Sequence, residues 1–300
     1  MTTAHGPIVG RRRLRFALRK AREVAELTQE QVAAQMDWSL SKLIRIEAGT
    51  VSVSTNDLKA LLALYRISDR GQIDELVELA RASRQRTWWA GYKDRLASYR
   101  VSYVGLEAET SVLSYFNPLL VPGLLQTETY ARAVIAEVAR HEGTPEEIEP
   151  LVDVRMTRQR EVLGRRDPPN LVALMDEAVV RRPVGGWRAM REQLLHLVEA
   201  AEQPNISVRV LPFSAGPYPA MYGPFVILDF PEEDDTPVVF LENAFSGEVV
   251  ERSEEVTAYR GMFDQMWHRA LSEDGSAKLI QILADRAADL DQRARSAPRR

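Results

Sequence analysis

A chain of 300 residues is long enough for two ordinary domains, which usually run about 100–150 residues each. Hydrophobic residues at 45% beside 27% charged exclude a wholly disordered chain. The absence of cysteine excludes a disulfide-dependent scaffold, a thiolate nucleophile, a CxxC redox motif and a Cys-ligated zinc site. The net charge of −4 conceals a partition: residues 1–70 carry 12 Lys and Arg against 7 Asp and Glu, net +5, while the other 230 carry 27 against 36, net −9. A basic head on an acidic body directs the search for a phosphate-bearing partner to the head. No apolar run reaches the roughly 18 residues of a membrane span, so no membrane partner is expected. The start MTTAHGPIVGRRR lacks the apolar core and cleavage site of a signal peptide, and the expected location is the cytoplasm.

From Arg11 to Ala25, Leu14, Ala17, Leu18 and Ala21 recur at three- and four-residue steps between Arg12, Arg15, Arg19 and Arg22, which predicts an amphipathic helix with a cationic outer face. Thr28 and Gln31 form a capping box for a second, short helix carrying Val32, Ala33 and Met36. Ser39 caps a third, over Leu40–Ala48, with Leu43 and Ile46 inward and Gly49 as its stop. Ser54 or Thr55 caps a fourth, Asn56–Tyr65.

Two short helices joined by a tight turn have the spacing of a helix-turn-helix, whose second helix lies in the major groove of DNA. Ala33 must be small where the helices cross. Leu43 and Ile46 anchor the reading helix, which leaves Leu40, Ser41, Lys42, Ile44 and Arg45 outward, and the helix starts near Thr28 and Ser39 offer free amides to phosphate oxygens. Glu47 reads as a buried partner of an Arg or a backbone group, because a carboxylate is repelled by phosphate. Two readings fit Arg11, Arg12 and Arg13: a basic arm tracking phosphates, or a solvated helix start.

The ordered residues Leu27, Thr28, Gln29, Ala33, Ser39, Ser41, Leu43, Arg45, Ile46, Glu47 and Gly49 carry a resemblance to the phage-repressor or Cro-type helix-turn-helix regulators, the Xre family. The resemblance implies double-stranded operator DNA as partner, a homodimer, and Thr28, Gln29, Ser39, Leu40, Ser41, Lys42 and Arg45 as the DNA-facing residues. Leu40 and Ile44 depart from it by standing where polar readers are common; contact with thymine methyls fits them, at the expense of hydrogen-bond readout.

Beyond the head, 69–97 predicts a helix and then an aromatic cluster of Trp88, Trp89, Tyr92, Tyr99 and Tyr103. Stacking on nucleobases and a packing wedge or dimer contact both fit these rings. The body predicts strands at Thr110–Phe116, Leu171–Met175, Ile206–Pro212, Phe225–Phe230 and Val238–Glu242, the last two as a hairpin about the turn Asp234–Pro237. Helices are predicted at Thr127–Ala139, Glu146–Leu163, Trp187–Glu202, Ser253–Leu271 and Ser276–Ala294. The expected fold class is an all-α helix-turn-helix bundle followed by an α+β domain with a mostly antiparallel sheet. The expected division is a head over 1–80, a helical and aromatic connector over 81–105, and a partner- or ligand-sensing body over 106–300.

The body segments SYFNPLLVPGLLQTETYARAVI, LMDEAVVRRPVGG, MREQLLHLVE, VRVLPFSAGPYPAMYGPFVILDFP and VVFLEN resemble the large C-terminal domain of unassigned activity that follows Xre-type heads in many actinobacterial regulators of the WhiJ-like, antitoxin-like kind. That resemblance implies a small protein partner. The residues themselves supply no catalytic set. Asp176-Glu177 and the strand-end acids Asp229 and Glu242 lack the lysine that a sheet-borne nuclease site needs. His5, His141, His196 and His268 lack paired metal-ligand spacing, and neither a phosphate loop nor a G-x-S-x-G elbow occurs. The expectation is a protein that is not an enzyme and holds no metal or cofactor. The loop holding Phe213, Tyr218, Met221 and Tyr222 fits either the border of a ligand or partner site or a packed irregular connection. Arg181-Arg182-Pro183 before Gly185-Gly186 fits an anion site or a turn before a helix.

Overall fold

The computed structural model describes residues 6–296 except 86, 93, 94, 143, 233, 234, 244 and 245; His5 and Asp234 therefore lie outside the described residues, as does the side chain of His141. The chain divides into two units, Met1–Gly91 and Tyr92–Arg300.

The first unit holds five helices, α1 (Pro7–Val24), α2 (Gln29–Gln35), α3 (Leu40–Glu47), α4 (Thr55–Leu64) and α5 (Arg70–Ala82); α2, α3 and α4 start at the caps expected from the sequence, and α1 starts four residues before the expected Arg11. Pro7 opens α1, where its missing N–H costs nothing. The side chains of Thr28, Ser39, Ser54 and Asp69 each accept the amide hydrogen three residues on, at Gln31, Lys42, Asp57 and Gln72. The first four helices share one ending, a left-handed residue just past the C-cap: Glu26, Asp37, Gly49 and Arg66 at φ 56°, 54°, 71° and 61°. At each, the next amide turns back to a carbonyl five residues earlier, Leu27 to Arg22, Trp38 to Ala33, Thr50 to Arg45 and Ile67 to Leu62. Chain reversals of this kind let Leu14, Leu18, Val32, Leu43, Ile46, Leu58, Leu61 and Leu62 close into one core.

The helix expected over 69–97 ends at Ala82. Ser83 donates its hydroxyl hydrogen to the Ala80 carbonyl, and the amides of Arg84 and Gln85 bond three residues back instead of four, so the coil tightens and stops. A 3-10 turn follows at Trp88–Tyr92.

The second unit begins with α6 (Ser98–Glu109) and β1 (Val112–Asn117), then α7 (Glu128–Glu142), α8 (Ile148–Leu163), β2 (Asn170–Asp176), α9 (Glu177–Arg181), α10 (Trp187–Ala200) and β3 (Ile206–Leu211). It ends with β4 (Phe225–Asp229), β5 (Val238–Glu242), β6 (Gly247–Val250), α11 (Ser253–Arg269) and α12 (Glu273–Ser296). Six strands form a mixed sheet in the order β3-β2-β1-β4-β5-β6. β1, β2 and β3 run parallel through helical crossovers, and β1, β4, β5 and β6 pair antiparallel. One face, with Phe116, Leu174, Phe225, Ile227 and Val239, packs on Val256, Phe263 and Met266 of α11. On the other face Tyr115 hydrogen-bonds Glu107 of α6, and Phe240 stacks on Tyr103 at 4.1 Å. With both faces covered, the strands carry near-continuous apolar runs.

Candidate nucleic-acid interface

The reading element expected from the sequence is built by α2, its turn and α3. Ala33 is 4% exposed, and Leu43 and Ile46 hold the inner side of α3 in the core. Asp37 occupies the left-handed turn position, which a short polar side chain tolerates better than a branched one. The exposed stripe of α3 is Leu40, Ser41, Ile44, Arg45 and, at its C-cap, Ala48. The Arg45 guanidinium leans on its own helix, Nε donating to the Ser41 carbonyl at 3.3 Å, and remains exposed.

Lys42 stands apart from this stripe. Its ammonium pairs with Asp57 of α4 at 3.2 Å and lies 3.7 Å from the Trp38 ring, so two partners hold it to one side. Ser39 and Thr28 serve as caps, as their types dictate. The Thr28 hydroxyl accepts from the Gln31 amide and also hydrogen-bonds the Glu30 carboxylate, whose pKa is lowered by its own backbone amide first and by Thr28 second.

Behind the stripe lies a charged knot that the sequence reading foresaw only for Glu47. Arg22 donates to both Glu47 oxygens, at 2.7 and 3.2 Å, and to the Leu27 carbonyl at 2.9 Å. Gln29 donates one amide hydrogen to Glu47 at 2.7 Å, which leaves the second for an outside acceptor. Hydrogen bonding to Glu47 raises the Arg22 pKa against the opposing pull of burial, and burial beside the same carboxylate pushes the Tyr65 phenol up. An open depression of about 610 Å³ runs over this knot, bordered by Arg19, Glu26, Gln29, Glu30, Ile44 and Ala48.

Of the three arginines that fit a basic arm or a solvated helix start, Arg11 lies against Gly49 at the end of α3. Arg11 donates to the Ser83 carbonyl at 3.0 Å, Arg12 is 8% exposed and Arg13 is half-buried. Arg15, one turn beyond Arg11, also reaches the C-terminal end of α3 and donates to the Ala48 carbonyl at 3.3 Å, a favourable place for a cation.

In the second unit Phe213, Met221 and Tyr222 are exposed, whereas Tyr218 is tied down by its hydroxyl to Asp176 at 2.9 Å and by an edge contact with Phe116. Asp176 also caps α9, and Glu177 accepts from Arg181 and from the Phe213 amide. Asp229 pairs with Arg260 and Glu242 with Arg100. These acids are thus engaged in caps and ion pairs. Gly185 and Gly186, at φ 72° and 89°, make the turn into α10. Among the described residues no three His, Asp or Glu side chains converge as a metal site, and no helix is long and apolar enough to cross a membrane.

The first unit thus has the build of a helix-turn-helix protein of the DNA-binding kind, and residues 13–76 match the family described as a helix-turn-helix domain. Residues 101–281, more than half of the chain, match the family described as a domain of unknown function, DUF5753; the chain belongs to that family. No curated protein and no solved structure matches it.

Proposed function

We propose that the chain is a sequence-specific transcriptional regulator of the Xre, WhiJ-like type, which acts in the cytoplasm and joins the nucleoid when bound to its operator. The carrying observation is the outward stripe Leu40, Ser41, Ile44 and Arg45 on a helix whose opposite side is locked into the core, within a segment of net charge +5. The acidic body, net −9, favours docking through the head alone. A repressor-type homodimer doubles the charge available and sets two reading helices one turn of DNA apart, about 34–36 Å. The body answers a ligand or partner and performs no catalysis.

A second reading is an antitoxin-like protein whose main task is to hold a small protein and which regulates itself through DNA. The exposure of Phe213, Met221 and Tyr222 on one loop favours it.

Mapping of bound genomic sites, with the full chain, tests the regulator. A recurrent palindrome with half-sites one helical turn apart supports the dimeric operator reading. No enriched site removes it. Co-purification from native cells, followed by asking whether the captured protein releases DNA, separates the two readings.

A further inference from the structure

The outward stripe of α3 is mainly aliphatic. Leu43, Ile46 and Glu47 are buried, so Leu40 and Ile44, 37% and 43% exposed, stand beside Ser41, Arg45 and Ala48. Lys42, the other cation of the helix, is held by Asp57 and Trp38. On the stripe itself, the groups suited to hydrogen bonding with base edges are one hydroxyl, of Ser41, and one guanidinium, of Arg45. Two large aliphatic side chains one turn apart on an outward face gain free energy wherever an apolar group covers them. The major groove of B-DNA has one apolar group on its floor, the C5-methyl of thymine.

We propose that α3 reads its operator chiefly through thymine methyl groups, with Leu40 and Ile44 as the specificity-determining side chains and Arg45 contributing the one fork suited to guanine. This rests on the DNA-binding reading above. Charge over the head as a whole favours duplex DNA over an apolar protein surface as the occupant: residues 1–70 carry a net +5, while the depression beside Ile44 is itself mixed, with Arg19 and Arg22 among Glu26, Glu30 and Glu47. The spacing of Leu40 and Ile44, one helical turn apart on a single face, lets both point into one groove. The inferred half-site therefore contains thymines at the positions facing these two residues and tolerates little change from T·A to C·G there.

The test uses duplexes selected from a randomised pool by the full chain and then resynthesised with deoxyuridine in place of each thymidine of the recovered motif. Base pairing and hydrogen-bonding edges are kept, and only the methyl is lost. Affinity should fall about fourfold for each contacted methyl, the equivalent of one buried CH₂. The Ile44→Ser and Leu40→Ser variants, whose exposed positions leave the core intact, should bind the thymidine duplex more weakly and lose the difference between the two duplexes in part, and in the double variant almost wholly. Circular dichroism and melting confirm that the variants are folded. Equal affinity of the parent for both duplexes overturns the inference, as does a folded double variant that still distinguishes thymidine from deoxyuridine. If the pool yields no enriched duplex, the DNA-binding reading fails and this inference with it. An enriched motif that is indifferent to the methyl sinks this inference alone.

Discussion

Arg22 of α1 and Glu47 of α3 meet in a two-pronged ion pair, with 13% and 4% of their side chains exposed. The pair couples the first helix to the reading helix, and Gln29 adds the start of α2 to the same carboxylate. Removing one partner leaves the other charge buried, which costs about 3–5 kcal/mol, whereas replacing both by apolar groups of similar size is often neutral. Glu47→Ala should therefore destabilise the first unit by that amount, and Arg22→Met with Glu47→Leu should recover most of it. Urea unfolding, with hydrogen exchange to assign the transition to α1–α3, checks both. A Glu47→Ala protein as stable as the parent would contradict the knot.

The two cations of α3 should differ in their effect on DNA. Arg45 is exposed on the reading stripe, and loss of a base contact from it costs about 1–3 kcal/mol of discrimination. Lys42 is already paired with Asp57 and Trp38, so its truncation mainly removes an exposed ion pair, a matter of about 1 kcal/mol or less. Binding titrations over a range of salt should show Arg45→Ala losing sequence preference and Lys42→Ala retaining it. The reverse order would move the reading face to the Lys42 side.

Much of the head was readable because its signals are local. One residue makes each cap, at Thr28, Ser39, Ser54 and Asp69, and three- or four-residue steps place Leu14, Leu18, Leu43 and Ile46 inward. The fates of Lys42 and Gln29 were not readable, since each depends on a residue brought near only by folding: Asp57 lies 15 positions from Lys42, and Glu47 lies 18 from Gln29. In the second unit the runs at β1, β2, β4 and β5 announced strands. Apolar on both faces, they carried no alternation to distinguish parallel from antiparallel pairing. The short β6, with Gly247 and the exposed Glu248 among its four residues, resembles a turn in composition. Buried Glu107, Gln126 and Gln193 gave no signal, because a polar residue in a helical or loop pattern is expected outside.

The left-handed turn residue Asp37 gives a test of the helix-turn-helix geometry itself. At φ 54° an L-residue pays roughly 1–2 kcal/mol, less for Asp than for most, and glycine pays none of it but loses more chain entropy on folding. Asp37→Gly should stay within about 1 kcal/mol of the parent stability. Asp37→Val should be destabilised by about 1–2 kcal/mol, because a branched Cβ clashes in this conformation. Thermal melts of the two variants side by side decide; equal stability would mean that the turn is not left-handed.

Gln193, fully buried in α10, holds the segment after β1 by donating to the Leu125 carbonyl and accepting from the Thr127 amide, both at 2.7 Å. Gln193→Leu fills a similar volume but strands both backbone groups, at about 1–3 kcal/mol each. The second unit should melt correspondingly earlier, by an amount a denaturant titration resolves. A neutral outcome would require that segment to find other partners.

The phenols of Tyr103 and Tyr115 both hydrogen-bond to the buried Glu107 carboxylate, which Arg158 neutralises from α8. Burial first, and the Glu107 charge second, push both phenols well above their ordinary value of 10. In the unfolded chain they ionise near pH 10, so the folded state favours the protonated form. Their contribution to stability is therefore complete below about pH 10 and is lost progressively as the pH rises from there toward the raised folded values. Alkaline titration followed by phenolate absorbance should show the signal of these two residues, obtained as the difference between the parent and a Tyr103→Phe, Tyr115→Phe variant, developing with unfolding and not before it. A difference signal that titrates near pH 10 in still-folded protein would place both hydroxyls in water and remove the Glu107 network from the core.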